Sequence, residues 1–204
     1  MKKSILLLFL CLLCFCTACR QPSYDEKSPS GSITAETLYS NFLSKNINAV
    51  DKNGDAVTLE SYLDSNSDAS YQQYAIYDMN GDNVSELILK TVKGLYIFWI
   101  DNNKVALWYE GTNYAKPLNN MALLSERKGS VPEHIDYSYI VLGYQGEEVL
   151  RIDFSKYSAT EFQGVQYEER YFINNTEATQ ETYNALCQQL LNESDNNIIW
   201  KELN

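Results

Sequence analysis

The sequence predicts an α+β domain, a mainly antiparallel β-sheet with an N-terminal and a C-terminal helix packed on it. Three observations predict it. From Tyr71 onward apolar residues recur with period two, in runs rich in Tyr, Ile, Val and Trp, the pattern of half-buried strands. Short turn segments such as Asp101-Asn102-Asn103 and Gln145-Gly146 separate the runs, and short connections imply antiparallel neighbours. At either end of this stretch the period becomes helical, with Leu38, Phe42 and Leu43 before it and Tyr183, Leu186, Cys187, Leu190 and Leu191 after it.

The first element is a targeting segment. Lys2 and Lys3 precede an unbroken apolar run over residues 5–16, the charge-then-apolar order of a secretory signal. A run of about 12 residues is short for a transmembrane helix, which needs about 20. Cys16-Thr17-Ala18-Cys19 follows. A small residue before Cys resembles the lipobox of bacterial lipoproteins, although Cys16 stands where that motif usually has Leu. The resemblance implies cleavage after Ala18 and a lipid, palmitate among its chains, on Cys19. Cleavage before Cys16 or Cys14 would put Phe15 or Leu13 where a small residue is needed, and the plain alternative is an ordinary signal peptide. Residues 1–18 therefore read as the signal and residues 19–32 as the anchored Cys with a flexible linker. Residues 33–204 read as a single domain. The linker is rich in Pro, Ser, Gly and charge and spans roughly 20 Å r.m.s.. Once the signal is removed and Cys19 acylated, Cys187 is the one free thiol and no internal disulfide remains.

Within the domain, Thr34 is a fair N-cap for a short amphipathic helix over residues 35–45. Asn53-Gly54 between short apolar stretches signals a tight hairpin, and residues 58–63 suit a single helical turn. Strands are expected at 71–77, 85–92, 95–101, 104–110, 121–125, 137–143, 148–154 and 165–172. Both faces of Leu95-Tyr96-Ile97-Phe98-Trp99-Ile100 are apolar, so this strand is expected to be central and covered on both sides. Polar residues dominate Tyr167-Glu168-Glu169-Arg170-Tyr171, which suggests an edge or a solvated face. The closing helix begins at Thr176 or Thr179, and Ile198-Ile199-Trp200 is expected to pack back on the body.

One stretch carries ligand chemistry. Asp78-Met79-Asn80-Gly81-Asp82-Asn83-Val84-Ser85-Glu86 places oxygen side chains at relative positions 1, 3, 5 and 9. Calcium is a hard cation that takes six to eight oxygens. Asp78, Asn80, Asp82 and Glu86, with the carbonyl of Val84, could wrap one ion, and Gly81 permits the reversal. It is not an EF-hand, because positions 6 and 12 are Asn83 and Leu89, where that loop needs Gly and Glu. The competing reading is a plain hairpin, since Asn80-Gly81 is itself a turn signal. In Asp51-Lys52-Asn53-Gly54-Asp55 the first three positions recur, but the ninth is Leu59, so that segment reads as a hairpin.

The stretch resembles the strand-loop-strand calcium loop of FG-GAP-type repeats, D-x-[DN]-G-D-x-x-x-[DE]-L. It is still more similar to an uncharacterised family of Gram-positive bacterial surface lipoproteins, in which an aromatic strand leads into D-x-[DN]-G-D and then E-L-I-L. Phe42-Leu43, the 49–55 segment and Leu59 share that similarity. The resemblance implies a location and calcium as a structural cofactor. A propeller is not implied, because the loop occurs once in full.

Composition and motifs exclude other classes. A net charge of −11 argues against nucleic acid, whose phosphates need clustered Lys and Arg. With a single His, most His-based catalysis is removed. No nucleophile elbow, HExxH or phosphate-binding loop is present. Asp136 could orient His134, though a solvated or structural role suits that His better. Glu147-Glu148 and Glu168-Glu169 are neighbours that point to opposite strand faces, so neither pair makes a glycosidase site by itself. Sixteen Tyr and three Trp invite a carbohydrate-binding reading, against which stands their ordinary use in sheets. Trp99 and Trp108 read as core, and residues 110–115 as an exposed surface. The expectation is a non-enzymatic binding or structural module, tethered to the cell membrane through lipidated Cys19 and facing outside the cytoplasm. Its partner is an unidentified extracellular ligand or protein. The alternative is a surface hydrolase acting on glycan or cell-envelope substrates.

Overall fold

The computed structural model describes residues 34–65, 71–118, 121–130, 133–157, 161–162, 165–166, 168–191 and 198–203. The predicted signal, Cys19 and linker lie outside them. Thr34 caps helix α1 (Ala35–Leu43), its hydroxyl accepting from Thr37 N at 3.3 Å. Strands β1 (Ala49–Val50) and β2 (Ala56–Val57) form the predicted hairpin, with Gly54 at φ +86° in the turn. A single 3-10 turn, Leu59–Ser61, leads on to β3 (Gln73–Tyr77), β4 (Glu86–Lys90), β5 (Leu95–Asp101) and β6 (Lys104–Gly111).

The next group is β7 (Ala115–Pro117), β8 (Ala122–Ser130), β9 (Glu133–Leu142) and β10 (Glu148–Tyr157). A two-residue pair, β11 (Glu161–Phe162) and β12 (Val165–Gln166), precedes β13 (Arg170–Ile173) and β14 (Thr176–Ala178). Helix α2 (Gln180–Leu190) starts at the Thr179 cap, and β15 (Lys201–Glu202) ends the described chain.

The predicted fold class is corrected here. The fold is mainly β, and its strands form two larger sheets in place of one. The first has the order β15-β3-β4-β5-β6-β1-β2, and β1 runs parallel to β6, so it is mixed. The second has the order β14-β13-β10-β9-β8-β7 and is antiparallel throughout. The helices pack on different sheets. Leu38, Tyr39 and Phe42 of α1 meet Leu87, Leu89, Tyr96 and Phe98 of the first sheet. Tyr183 and Leu190 of α2 meet Tyr139, Ile152 and Phe154 of the second. The remaining faces of the two sheets meet each other, where Ile88, Leu95, Ile97 and Trp108 pack with Leu123, Ile140 and Leu142.

This explains why β5 is apolar on both faces: one face lies under α1 and the other under the second sheet. Each large side chain buried in these layers contributes about 1.5–3 kcal/mol. A bulge in β6 adds to the middle layer. Ile97 pairs with Tyr109 and Phe98 with Leu107, so Trp108 is the extra residue, and both Trp108 and Tyr109 face the second sheet. The expected strand at 165–172 is also corrected. Residues 165–166 close the small pair with β11, and only from Arg170 does the chain join the second sheet. Trp200 packs into the middle layer, and Lys201 and Glu202 pair with β3 at the edge of the first sheet.

Candidate functional site

Two places bring polar chemistry together. The first is the 78–85 loop between β3 and β4, whose last paired residues are Tyr77 and Glu86. Asp and Asn side chains fold the loop on itself. Asp78 accepts from Gly81 N (2.7 Å) and Asn83 N (2.9 Å), Asn80 Oδ1 from Asp82 N (2.8 Å), and Asp82 Oδ1 from Val84 N (2.7 Å). Gly81 and Asn83 take positive φ, +77° and +68°. Met79 is buried between the sheets, and its carbonyl accepts from Met121 N at 3.0 Å, so the loop is fastened to the second sheet.

Glu86 is the unusual member. It sits two residues before Ile88 on the face of β4 that looks at the second sheet, and it is 4% exposed. Its Oε2 accepts from Met79 N at 2.7 Å and its Oε1 from Asn80 Nδ2 at 3.2 Å. Burial first, and then the charges of Asp82 and Asp78, push its carboxyl up to about 7, against the lowering by the Met79 N–H. Asn80 Nδ2 also donates to Asp82 Oδ2 at 3.1 Å, so one amide nitrogen bridges the Asp82 and Glu86 carboxylates.

Of the predicted ligands, Asn80, Asp82 and Glu86 are thus brought together. Asp78 is turned to backbone N–H groups, and Val84 lies exposed at the loop edge. Among the described residues no three His, Cys, Asp or Glu side chains converge as a preformed metal centre. A buried carboxylate beside two more acids is nevertheless the chemistry that a hard divalent cation takes, provided the Asn80 amide turns its oxygen where its Nδ2 now stands. The Asp51 loop is a turn, as expected, with Asp51 Oδ1 accepting from Asn53 N and Asp55 N.

Tyr39 of α1 supports this loop from the other face of the first sheet. Its hydroxyl donates to Ser85 O at 3.0 Å and Phe98 O at 3.3 Å. Burial and the nearby Glu86 charge keep that hydroxyl protonated far above the usual tyrosine range. Tyr39→Phe leaves the Ser85 and Phe98 carbonyls short of a donor and is expected to cost about 1–2 kcal/mol in urea unfolding. An unchanged midpoint would show that the bonds contribute nothing.

The second place is a cleft of about 840 Å³ on the second sheet. Past Leu123 and Ile140 the face of β8, β9 and β10 turns polar. Register sets Ser125 opposite Ser138 and Arg127 opposite Asp136; Asp153 faces Ser138 and Tyr157 faces His134. Arg127 Nη2 lies 3.2 Å from Asp136 Oδ2, and His134 Nε2 lies 3.4 Å from the same oxygen. Arg151 Nε donates to both oxygens of Asp153 at 3.1 Å, and its Nη1 to Glu148 Oε2 at 3.3 Å. Ser138 Oγ donates to Asp153 Oδ1 at 2.5 Å. The opposite wall comes from Tyr109, Glu110, Gly111, Thr112 and Tyr114, the end of β6 and the turn after it.

The 110–115 segment is therefore a cleft wall, and Trp108 is core, 3% exposed and stacked on Trp99 at 6.3 Å. Sequence reasoning missed Arg127, Ser138, Arg151 and Asp153. Their signal was present as polar residues at i and i+2 on three successive strands, the same pattern that marks an ordinary solvated face. Cys187 is a free, partly buried thiol whose pKa burial raises, which suits packing better than nucleophilic chemistry.

No protein-family model matches the chain, and no curated protein or solved structure matches it either. No helix among the described residues is long and apolar enough to cross a membrane.

Proposed function

We propose that this chain is a membrane-tethered extracellular lipoprotein domain, a non-enzymatic binding module stabilised by one calcium ion. The observation that carries it is Glu86, a buried carboxylate beside Asp82, Asp78 and Asn80 in a loop fastened to both sheets. Without a cation such a carboxylate opposes folding whenever it is ionised. A bound divalent ion would replace the Asn80 amide as the bridge and turn the same charge into a stabilising one. Asp78, Asn80, Asp82 and Glu86, with the Val84 carbonyl, would hold it. Extracellular calcium modules bind in the range of about 10⁻⁴ to 10⁻³ M, so the role is structural. Calorimetric titration of the full chain with calcium tests this: one ion per chain is expected, and none in Glu86→Gln.

The anchor rests on the signal-like N-terminus and the Cys19 motif. Metabolic labelling with palmitate should tag the wild type and leave Cys19→Ala unlabelled. Equal label in both would remove the tether.

The surface-hydrolase reading draws on one observation, the meeting of Glu110, Asp136, Glu148 and Asp153 around the cleft. Three of these acids are held by Arg127 or Arg151. A glycosidase needs one carboxyl free to deliver a proton and another free to attack or to activate water, so the geometry favours binding.

A further inference from the structure

We infer that Asn53 is a site of spontaneous covalent modification, deamidation through a cyclic imide, and that the fold shields Asn80 from the same reaction. The sequence contains its own comparison, because the pattern Asp-x-Asn-Gly-Asp occurs at residues 51–55 and again at 78–82. Gly after Asn favours the reaction, since no Cβ hinders its nitrogen. The two peptides therefore start from nearly equal intrinsic reactivity, and a difference between them is conformational. The step needs only water. The Gly54 nitrogen attacks Asn53 Cγ, and the new N–C bond closes a five-membered imide. The bond from Cγ to Nδ2 breaks, and Nδ2 leaves as ammonia with the Gly54 N–H proton, relayed by solvent. Water then opens the ring at either carbonyl carbon. One product is an ordinary aspartate, the other an isoaspartate whose main chain is one methylene longer, and each adds a carboxylate beside Asp51 and Asp55.

The two copies of the pattern are held very differently. At the first, Asp51 Oδ1 accepts from Asn53 N at 2.8 Å and Asp55 N at 2.9 Å, and Gly54 N donates to Asp51 O at 3.0 Å. Attack requires that last bond to open. Residues 52–55 are all exposed. The Asn53 amide has one long bond, Nδ2 to Asp51 Oδ2 at 3.4 Å, and its Oδ1 accepts none from the described residues. The strands behind the tip have two residues each, β2 is the edge strand, and β1 meets β6 in a single register pair. A hairpin this short and exposed opens locally at a small part of the global free energy.

At the second copy, opening is opposed on both sides of the reacting bond. Gly81 N donates to Asp78 Oδ1 at 2.7 Å. Asn80 Oδ1 accepts from Asp82 N at 2.8 Å, and Nδ2 donates to Asp82 and Glu86 at 3.1 and 3.2 Å. Freeing this amide strips the buried Glu86 of one of its donors. The neighbouring Met79 is buried between the sheets and bonded to Met121. Negative charge developing on Asn80 Oδ1 during attack would also stand among Asp78, Asp82 and the buried Glu86. Asp51 and Asp55 flank Asn53 as well, but at an exposed tip where water and salt screen them.

The test is incubation of the full chain in a zwitterionic detergent, once folded and once in denaturing guanidinium chloride. Peptide mapping by mass spectrometry then follows both sites and separates aspartate from isoaspartate. EDTA is present throughout, so the outcome does not depend on the calcium reading. In the folded chain Asn53 is expected to convert at least about tenfold faster than Asn80, giving both products, whereas in denaturant the two rates converge. Gly54→Ala is expected to slow conversion at Asn53 and leave Asn80 unchanged. Equal folded rates, faster conversion at Asn80, or a difference that persists in denaturant would each overturn the inference. So would an Asn53 that stays intact in the folded chain while the denatured chain converts.

Discussion

Millimolar calcium is expected to raise the thermal midpoint of the full chain by about 3–6 °C over its value in EDTA, and Glu86→Gln is expected to remove the rise. The size follows from mass action. At about 1 mM calcium, a site with a dissociation constant of about 0.1 mM stabilises by about 1.4 kcal/mol, and in a domain of this length each kcal/mol moves the midpoint by roughly 2–4 °C. The variant has a second signature. In EDTA at pH 8, Glu86→Gln is at least as stable as the wild type, because it buries an amide where the wild type buries a charge. In calcium the order reverses. A calcium shift retained in Glu86→Gln, or matched by magnesium, would overturn the site, since magnesium keeps its waters and is seldom held by an all-protein oxygen cage.

The pH dependence has a definite sign. The folded Glu86 carboxyl is pushed up to about 7, above its usual 4.5. Between those values the folded chain holds a proton that the unfolded chain has released. In EDTA this group's contribution to stability is therefore full below pH 4.5, falls as pH rises towards 7, and is flat above. The expected loss is on the order of 3 kcal/mol. Calcium offsets it, so the calcium-induced shift is largest near pH 8 and shrinks towards pH 5, where protons compete for the carboxylate. Urea unfolding at pH 5 and pH 8, with and without calcium, checks both trends, and a calcium effect independent of pH would remove Glu86 from the ligand set.

Local signals in the sequence were legible because their causes are local. Thr34 and Thr179 cap the two helices through hydrogen bonds to N–H groups three residues on. Asn53-Gly54 makes its hairpin, and period two marks the strands from β3 to β10. Strand partners were not legible. Nothing within β6 or β7 states that the sheet ends at Gly111 and a new one begins, or that two residues of β1 run parallel to β6 from more than fifty positions away. The apolar double face of β5 was the one clue to a second layer. The loop shows the same division. Spacing marked Asp78, Asn80, Asp82 and Glu86 as candidate oxygen ligands, but Glu86 is held by the Met79 N–H, and Met79 is in turn fastened by Met121, just before β8. The i, i+2 relation of His134 and Asp136 was visible in the sequence. The paired charges beside them depend on the register of β8, β9 and β10, which no single strand encodes.

Gly146→Ala is expected to destabilise the chain by about 3 kcal/mol, the sum of backbone strain and overpacking, and to lower the thermal midpoint by roughly 6–12 °C. Gly146 lies in the three-residue loop of the β9–β10 hairpin. Gly146 N donates to Gly143 O at 3.0 Å and Gly143 N to Glu147 O at 2.8 Å, a type I turn closed by a left-handed residue with φ +73°. An alanine pays the left-handed strain wherever it occurs. Here it also meets a wall, for its Cβ would lie 1.8 Å from the Trp108 carbonyl oxygen, a backbone atom that cannot rotate away. The hairpin tip must then lift from β6, and with it goes the bond from Trp108 Nε1 to Tyr144 O at 2.9 Å. That bond ties the bulge of the first sheet to the second, beside the side chains of the middle layer. Gly54→Ala is the internal control: Gly54 shares the left-handed backbone, at φ +86°, but nothing lies within 4 Å of an added Cβ. It is expected to cost about 1 kcal/mol, from strain without collision. Equal losses in the two variants would mean that the turn conformation alone matters and that the hairpin tip does not clamp the sheets.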